Sequence, residues 1–75
     1  MSNFPSLNAR QVVGALKRAG FIEDRQRGSH LILIHPVTKS RTVVPVHSGK
    51  TIKGPLLRAI IRDANLTLSR FVELL

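Results

Sequence analysis

The chain has 75 residues and a formal net charge of +8, from 12 Lys and Arg against 4 Asp and Glu. It contains no Cys, which excludes disulfides, thiolate catalysis and Cys-based zinc sites and fits a reducing cytoplasm. No segment approaches the roughly 20 apolar residues needed to span a bilayer, and the N-terminus lacks a signal-peptide pattern. We therefore expect residues 1–75 to form one cytoplasmic domain that does not enter a membrane.

The basic residues are spread along the chain, from Arg10 to Arg70, so folding should produce a positive surface. Such a surface attracts polyanions, because each neutralised phosphate releases condensed counterions. Nucleic acid is the first partner that this charge predicts, although an acidic protein or a membrane surface would also be attracted. Charge alone leaves these partners open.

The first predicted helix begins at a capping box, in which Asn8 and Gln11 each bind the backbone N–H of the other. Apolar Val12 and Leu16 follow on one helical face. Gly20 stands where a left-handed C-terminal residue is favoured, so the helix should end there.

Three strands are predicted after this helix. Residues 21–27 form a polar edge strand that ends in a turn at residues 27–29. Residues 30–35 are the most apolar run and are too short for a helix, so they form the central strand. A turn at residues 36–40 leads to a third strand at residues 41–46, which completes an antiparallel meander.

Two further helices are predicted in the remainder of the chain. Pro55 suits the first position of a helix, and the apolar stripe that begins at Leu56 continues until Asn65. Thr67 is a possible cap for a short terminal helix. This element order predicts an α+β fold in which the helices cover one face of a three-stranded sheet.

The candidate for catalysis is His30, at the start of the central strand beside a glycine-containing turn and several bases. Histidine titrates near neutrality and can transfer a proton in a transition state. RNA carries its own nucleophile. A base that removes the 2′-hydroxyl proton would therefore give a 2′,3′-cyclic phosphate and a 5′-hydroxyl end without a metal. The alternative is that His30 is a partly exposed polar residue with no chemical role, as most strand-initial histidines are.

Several residues near His30 are candidates to assist it. The phosphorane formed during cleavage carries added negative charge, which nearby cations and donors would stabilise. Ser29 would orient the phosphate or the imidazole. His47 is a second acid or base, an RNA contact, or a residue that hydrogen-bonds its own turn. The candidate cations are Arg25, Arg27, Lys50 and Lys53.

The other titratable residues predict no further site. His35 is assigned to the hairpin turn after the central strand. The three His, separated by four and eleven residues, match no common metal signature, so no metal or other cofactor is expected. Glu23 and Asp24 face opposite sides of a strand and should moderate the charge of Arg25 and Arg27.

Four segments follow one another at compact spacing: LKRAGF at 16–21, RQRGSH at 25–30, VVPVHSGK at 43–50, and Gly54 opening a helix that contains Leu57 and Ile60. Together they resemble the HicA toxins of bacterial toxin–antitoxin pairs, and the resemblance runs from about Val12 to Leu75. It implies a fold similar to double-stranded-RNA-binding domains and cleavage of mRNA without a metal. It also implies a catalytic histidine at His30 and a HicB-type antitoxin that covers the active site.

Two rival functions stay open at the level of sequence. One is a non-catalytic RNA-binding module that reads A-form shape and backbone. The other is an adaptor for an acidic protein. With three Phe and no Trp or Tyr, aromatic side chains that could stack on bases are scarce, which favours backbone contacts over base recognition.

Overall fold

The computed structural model describes residues 6–47 and 51–75 of the chain. Its elements are β1 Leu7–Asn8, α1 Ala9–Arg18, β2 Ile22–Arg27, β3 His30–Ile34, β4 Arg41–Pro45, β5 Thr51–Ile52, α2 Gly54–Asp63 and α3 Leu68–Glu73. The predicted α+β fold is confirmed: a helix, a three-stranded antiparallel sheet, a helix and a short terminal helix, as in double-stranded-RNA-binding domains. Among the described helices, none is long and apolar enough to cross a bilayer.

Helix α1 begins and ends where its local sequence predicts. The Asn8 side chain accepts from the Gln11 N–H at 2.8 Å, and the Asn8 N–H donates to the Gln11 side chain at 3.0 Å. At the other end Gly20 has a φ of 105°, and the Phe21 N–H donates to the Leu16 carbonyl at 3.0 Å. This Schellman-type ending satisfies carbonyls of the last turn and turns the buried Phe21 back onto the helix.

Strands β2, β3 and β4 form the meander, with β3 in the centre. Successive side chains of a strand point to opposite faces. Leu31 and Leu33 of β3 and Val44 of β4 point to the helices and belong to the core, which also includes Leu16 of α1 and Leu57 of α2. The core therefore lies between the helices and one face of the sheet.

Helices α2 and α3 pack on the same side of the sheet as α1 and complete the core. The buried Thr42 hydroxyl donates to the Ile60 carbonyl at 3.0 Å, which joins β4 to α2. Asn65, with a φ of 64°, follows the end of α2 in the left-handed region. The Thr67 hydroxyl accepts from the Arg70 N–H at 3.1 Å, so Thr67 caps α3 as predicted.

The sequence does not predict the two short strands β1 and β5. Leu7 lies opposite Ile52 and Asn8 lies opposite Thr51, and the two apolar residues are buried. A two-residue strand is too short to show an alternating pattern, and its pairing depends on the fold around it. This pairing brings the start of α1 next to the start of α2.

Candidate catalytic face

His30 is the first residue of β3, directly after a two-residue turn made by Gly28 and Ser29. Gly28 has a φ of 58°, the sign required of the first loop residue in a type II′ hairpin. The turn sets Arg27 opposite His30 in the ladder. The His30 side chain is exposed, so the turn presents its imidazole to solvent at one end of the sheet.

The sheet face that points away from the helices is called the open face here. Opposite residues in an antiparallel ladder point to the same side. The open face therefore has an apolar centre, and His30 and three arginines share it. Its cross-strand rows are Arg27, His30 and Pro45; Arg25, Ile32 and Val43; and Ile22, Ile34 and Arg41. Ile32 is only 5% exposed although it lies outside the core cluster, so its neighbours on this face shield it from water.

A β-bulge in β2 puts both Arg25 and Arg27 on the open face. The register steps from Glu23 to Arg25 between two consecutive residues of β3, which leaves Asp24 without an opposing residue. In an unbroken ladder, counted from the start of β2, Arg25 would point to the helices instead. The bulge therefore brings the guanidinium of Arg25 to the same side as His30.

The two carboxylates of β2 were expected to moderate the charge of Arg25 and Arg27, and only one of them lies near either arginine. The Glu23 carboxylate lies 2.6 Å from the Lys17 ammonium of α1, because Glu23 precedes the bulge and points to the helix side. It therefore does not moderate Arg25 or Arg27. Asp24 lies 3.7 Å from the Arg25 guanidinium, with both side chains substantially exposed, and such a contact contributes little in water.

The basic groups nearest the turn are available for binding. Within the part of the chain that the structure describes, the side chains of Arg27 and His30 take part in no hydrogen bond or ion pair. Directly opposed residues have Cβ atoms roughly 4.5–5.5 Å apart. An imidazole and a guanidinium at that separation can contact one phosphodiester together.

The other predicted assisting residues lie around this end of the sheet. Ser29 is half-buried, and its carbonyl accepts from the Val46 N–H at 2.7 Å. His47 is exposed and follows β4, and Lys53 is the exposed N-cap residue of α2. Neither His47 nor Lys53 belongs to the open-face rows. Lys50 lies outside the described residues.

His35 has the structural position that was predicted for it. Its Nδ1 accepts from the N–H groups of Val37 and Thr38, both at 3.2 Å, which closes the β3–β4 turn. The imidazole also contacts the Phe21 ring edge-on, with 5.3 Å between ring centroids. Among the described residues, no group of three His, Asp or Glu side chains could hold a metal ion.

Two exposed arginines are not among the site residues predicted from the sequence. Arg41 lies opposite Ile34 on the open face, and the alternation from His30 through the hairpin could have assigned it there. Arg10 lies in the first turn of α1 and belongs to a different surface. No local pattern indicates which part of the sheet lies near Arg10, because that depends on how α1 packs.

These features define a small basic domain with the architecture of double-stranded-RNA-binding domains and an exposed histidine on its open face. The family model described as HicA toxin of bacterial toxin–antitoxin matches residues 9–66, from the start of α1 to just beyond α2. The chain therefore belongs to the HicA toxin family, and it is the toxin of a toxin–antitoxin pair. A comparison with curated proteins gave no match.

Proposed function

We propose that this HicA family member is an endoribonuclease that cleaves mRNA without a metal and uses His30 as its catalytic residue. The observation that carries the proposal is the position of His30, which is exposed, directly opposite Arg27, and without a hydrogen-bond partner among the described residues. The toxin family supports an activity that harms the cell. The fold supports RNA as the polyanion, since double-stranded-RNA-binding domains bind it through shape and backbone.

His30 acts as a general base in this reaction. A ring nitrogen takes the proton of a 2′-hydroxyl, the 2′ oxygen bonds to the adjacent phosphorus, and the bond from phosphorus to the 5′ oxygen breaks. The 5′ oxygen takes up a proton from water as it leaves, and His30 afterwards releases its own proton to water, so the products are a 2′,3′-cyclic phosphate and a 5′-hydroxyl end. Proton transfer of this kind contributes roughly 10²- to 10⁴-fold in rate. The 2′-hydroxyl supplies the nucleophile, so no metal-bound water is needed.

Arg25 and Arg27 stabilise the negative charge that develops on the phosphorane. Both share the open face with His30, and Arg27 is its direct neighbour across the ladder. Guanidinium groups bind phosphate oxygens through paired, charge-assisted hydrogen bonds, which strengthen as charge accumulates. Ser29, His47, Lys50 and Lys53 are proposed as contacts to the RNA backbone around the cleaved bond.

A HicB-type antitoxin is the proposed inhibitor. The open face combines an apolar centre with Arg25, Arg27 and Arg41, which suits a partner that brings apolar and acidic side chains. Such a partner would cover His30 and so prevent cleavage. We expect the protein encoded beside this toxin to co-purify with it, and reversal of the three arginines to Glu to abolish that complex.

The catalytic assignment is tested with purified protein and an RNA oligonucleotide in excess EDTA. Wild type should cleave RNA and leave 2′,3′-cyclic phosphate ends. The His30→Ala and His30→Asn variants should lose at least 100-fold in rate, on the order expected for a general base. Because His30 is exposed, their free energies of unfolding should stay within about 0.5 kcal/mol of wild type.

Matched controls separate chemistry from binding. His47→Ala removes another exposed imidazole from the same end of the fold, and we expect it to raise KM with kcat unchanged. A DNA oligonucleotide of the same sequence should not be cleaved, because it lacks the 2′-hydroxyl. Full activity of His30→Ala would contradict the catalytic role, and activity that EDTA abolishes would contradict the metal-free mechanism.

The competing function is a non-catalytic RNA-binding module, which the likeness of the fold to double-stranded-RNA-binding domains favours. In that case His30→Ala would weaken RNA binding by about the same factor as Arg27→Ala, and purified wild type would leave RNA intact.

A further inference from the structure

A groove opens beside the end of the sheet where β3 begins. Its volume is about 490 Å³, and its apolar walls are Val13 of α1, Leu31 of β3 and Val46, which follows β4. Arg10 and His47 also line it. Binding sites for small molecular groups typically have volumes of about 300–1,000 Å³, so the groove can take one unit of a polymer.

Shared and adjacent residues link this groove to the surroundings of His30. A second, smaller cleft of about 210 Å³ is lined by Pro45, His47 and Thr51, among others. Pro45 is the cross-strand partner of His30, and His47 lines both depressions. In the pair of β1 with β5, Asn8 of the groove lies opposite Thr51 of the cleft. A surface path therefore runs from His30 past Pro45 and His47 to Arg10.

Arg10 is the available cation of helix α1. The Lys17 ammonium is bound to the Glu23 carboxylate at 2.6 Å, and the Arg18 guanidinium donates to the Leu74 carbonyl at 2.6 Å. Within the described part of the chain, no hydrogen bond or ion pair holds the Arg10 side chain. Its guanidinium is therefore free to bind an anion in the groove.

The terminus of α1 has fewer free N–H donors for an anion than an uncapped helix. The side chain of Asn8 already accepts from the backbone N–H of Gln11 at 2.8 Å, so this capping box occupies a donor that an anion would otherwise use. The cationic or titratable side chains that line the groove are Arg10 and His47.

We propose that the groove binds the RNA strand next to the cleaved bond, with Arg10 on a backbone phosphate and the apolar walls against the attached ribose or base. This inference rests on the proposed ribonuclease function and assigns Arg10 as a further substrate-binding residue. The paired donors of a guanidinium match the oxygens of a phosphate. Apolar Val13, Leu31 and Val46 match the flat face of a nucleoside.

The test compares Arg10→Ala with Arg62→Ala, an exposed arginine in the last turn of α2 with the same charge. Arg10→Ala should raise KM about 10-fold with kcat unchanged, the effect of losing one charge-assisted contact. It should also reduce the log–log salt slope of single-stranded RNA binding by about 0.7. Arg10→Lys, which keeps the charge but not the paired donors, should recover only part of the affinity. Arg62→Ala should leave all of these values near wild type.

Loss of folding does not explain such a result, because Arg10 is exposed and its removal from the first turn relieves an unfavourable interaction with the helix dipole. Equal KM values for the Arg10→Ala and Arg62→Ala variants would overturn the proposal. Unchanged RNA cleavage combined with weaker inhibition by the antitoxin would also overturn it, since the groove would then serve the protein partner.

The binding measurement is made separately in the His30→Ala background, so it does not depend on cleavage. If wild type fails to cleave RNA but Arg10→Ala still weakens RNA binding, the ribonuclease function fails and the groove assignment stands. If wild type cleaves RNA and Arg10→Ala binds it normally, the ribonuclease function stands and the groove assignment fails.

Discussion

Gly20 and Gly14 look alike in the sequence and have opposite roles in the structure. Gly20 has a φ of 105°, and a Cβ there would approach Nε2 of His35 to 2.6 Å. Gly14 lies inside α1, where a Cβ would lie 3.4 Å from the Arg18 guanidinium, an ordinary van der Waals distance. The first glycine is required by backbone conformation and by contact with His35, and the second is not.

We predict opposite stability changes for the two alanine variants. Gly20→Ala should lower the free energy of unfolding by about 1–3 kcal/mol, because alanine must adopt a strained conformation and displace the imidazole. Gly14→Ala should raise it by about 0.5–1 kcal/mol through helix propensity. Urea unfolding of the two variants beside wild type measures both changes. A Gly20→Ala variant as stable as wild type would mean that the chain adopts another conformation after α1.

At the scale of elements, strand β2 shows how one extra residue changes a functional surface. Its alternation, read from the sequence, puts Glu23, Arg25 and Arg27 on one common side. The bulge at Asp24 breaks this alternation between Glu23 and Arg25. Glu23 then reaches α1 while both arginines lie with His30. A one-residue change of register reverses the face of every residue beyond it.

Two single-residue deletions test this arrangement. Deletion of Asp24 removes the unopposed residue and keeps Arg25 beside Ile32 on the open face, so RNA binding should remain close to wild type. Deletion of Gln26 gives a strand of equal length in which a regular ladder puts Asp24 on the open face and turns Arg25 to the helices. In the His30→Ala background, RNA binding should then weaken, with a salt slope reduced by about 0.7 for the lost phosphate contact.

Equal RNA affinity of the two deletion variants would contradict the importance of the bulge. Their free energies of unfolding provide the control, because both deletions shorten the same edge strand by one residue. A loss of affinity confined to the variant lacking Gln26, at similar stability, would identify the exchange of Arg25 for Asp24 on the open face as the cause.

At the scale of the whole molecule, the charge of +8 is spread over several surfaces. The open face contains His30, Arg25, Arg27 and Arg41, and the groove beside it contains Arg10 and His47. Neighbouring carboxylates form ion pairs with other basic residues, among them Lys17, Arg62 and Arg70. The distribution of the available cations, more than the total charge, defines the surface that should bind the backbone of an RNA strand.

This distribution predicts a steep salt dependence. If about five phosphates are bound, the log of the affinity of the His30→Ala variant for single-stranded RNA should fall with a slope near −3.5 against the log of salt concentration. Anisotropy titrations over a series of salt concentrations measure it, and a neutral-backbone analogue of the same oligonucleotide is the control. A slope near zero would contradict backbone binding and favour an adaptor for an acidic protein.

The sequence by itself determined the features that depend on local chemistry. The capping box at Asn8, the glycine ending at Gly20, the Gly28–Ser29 turn, the central strand and the Thr67 cap were all predicted, because each depends on residues within one turn or one alternating run. The position of His30 at the start of a strand follows from the same local signals.

Only the tertiary structure decided what surrounds that histidine. The bulge at Asp24, the pairing of β1 with β5 and the groove at Arg10 depend on contacts between segments distant in sequence or on the strand register. Such contacts have no local pattern, since their free energy comes from packing that exists only once the core has formed. The sequence therefore indicated His30 as the candidate residue, and the fold determined which cations accompany it.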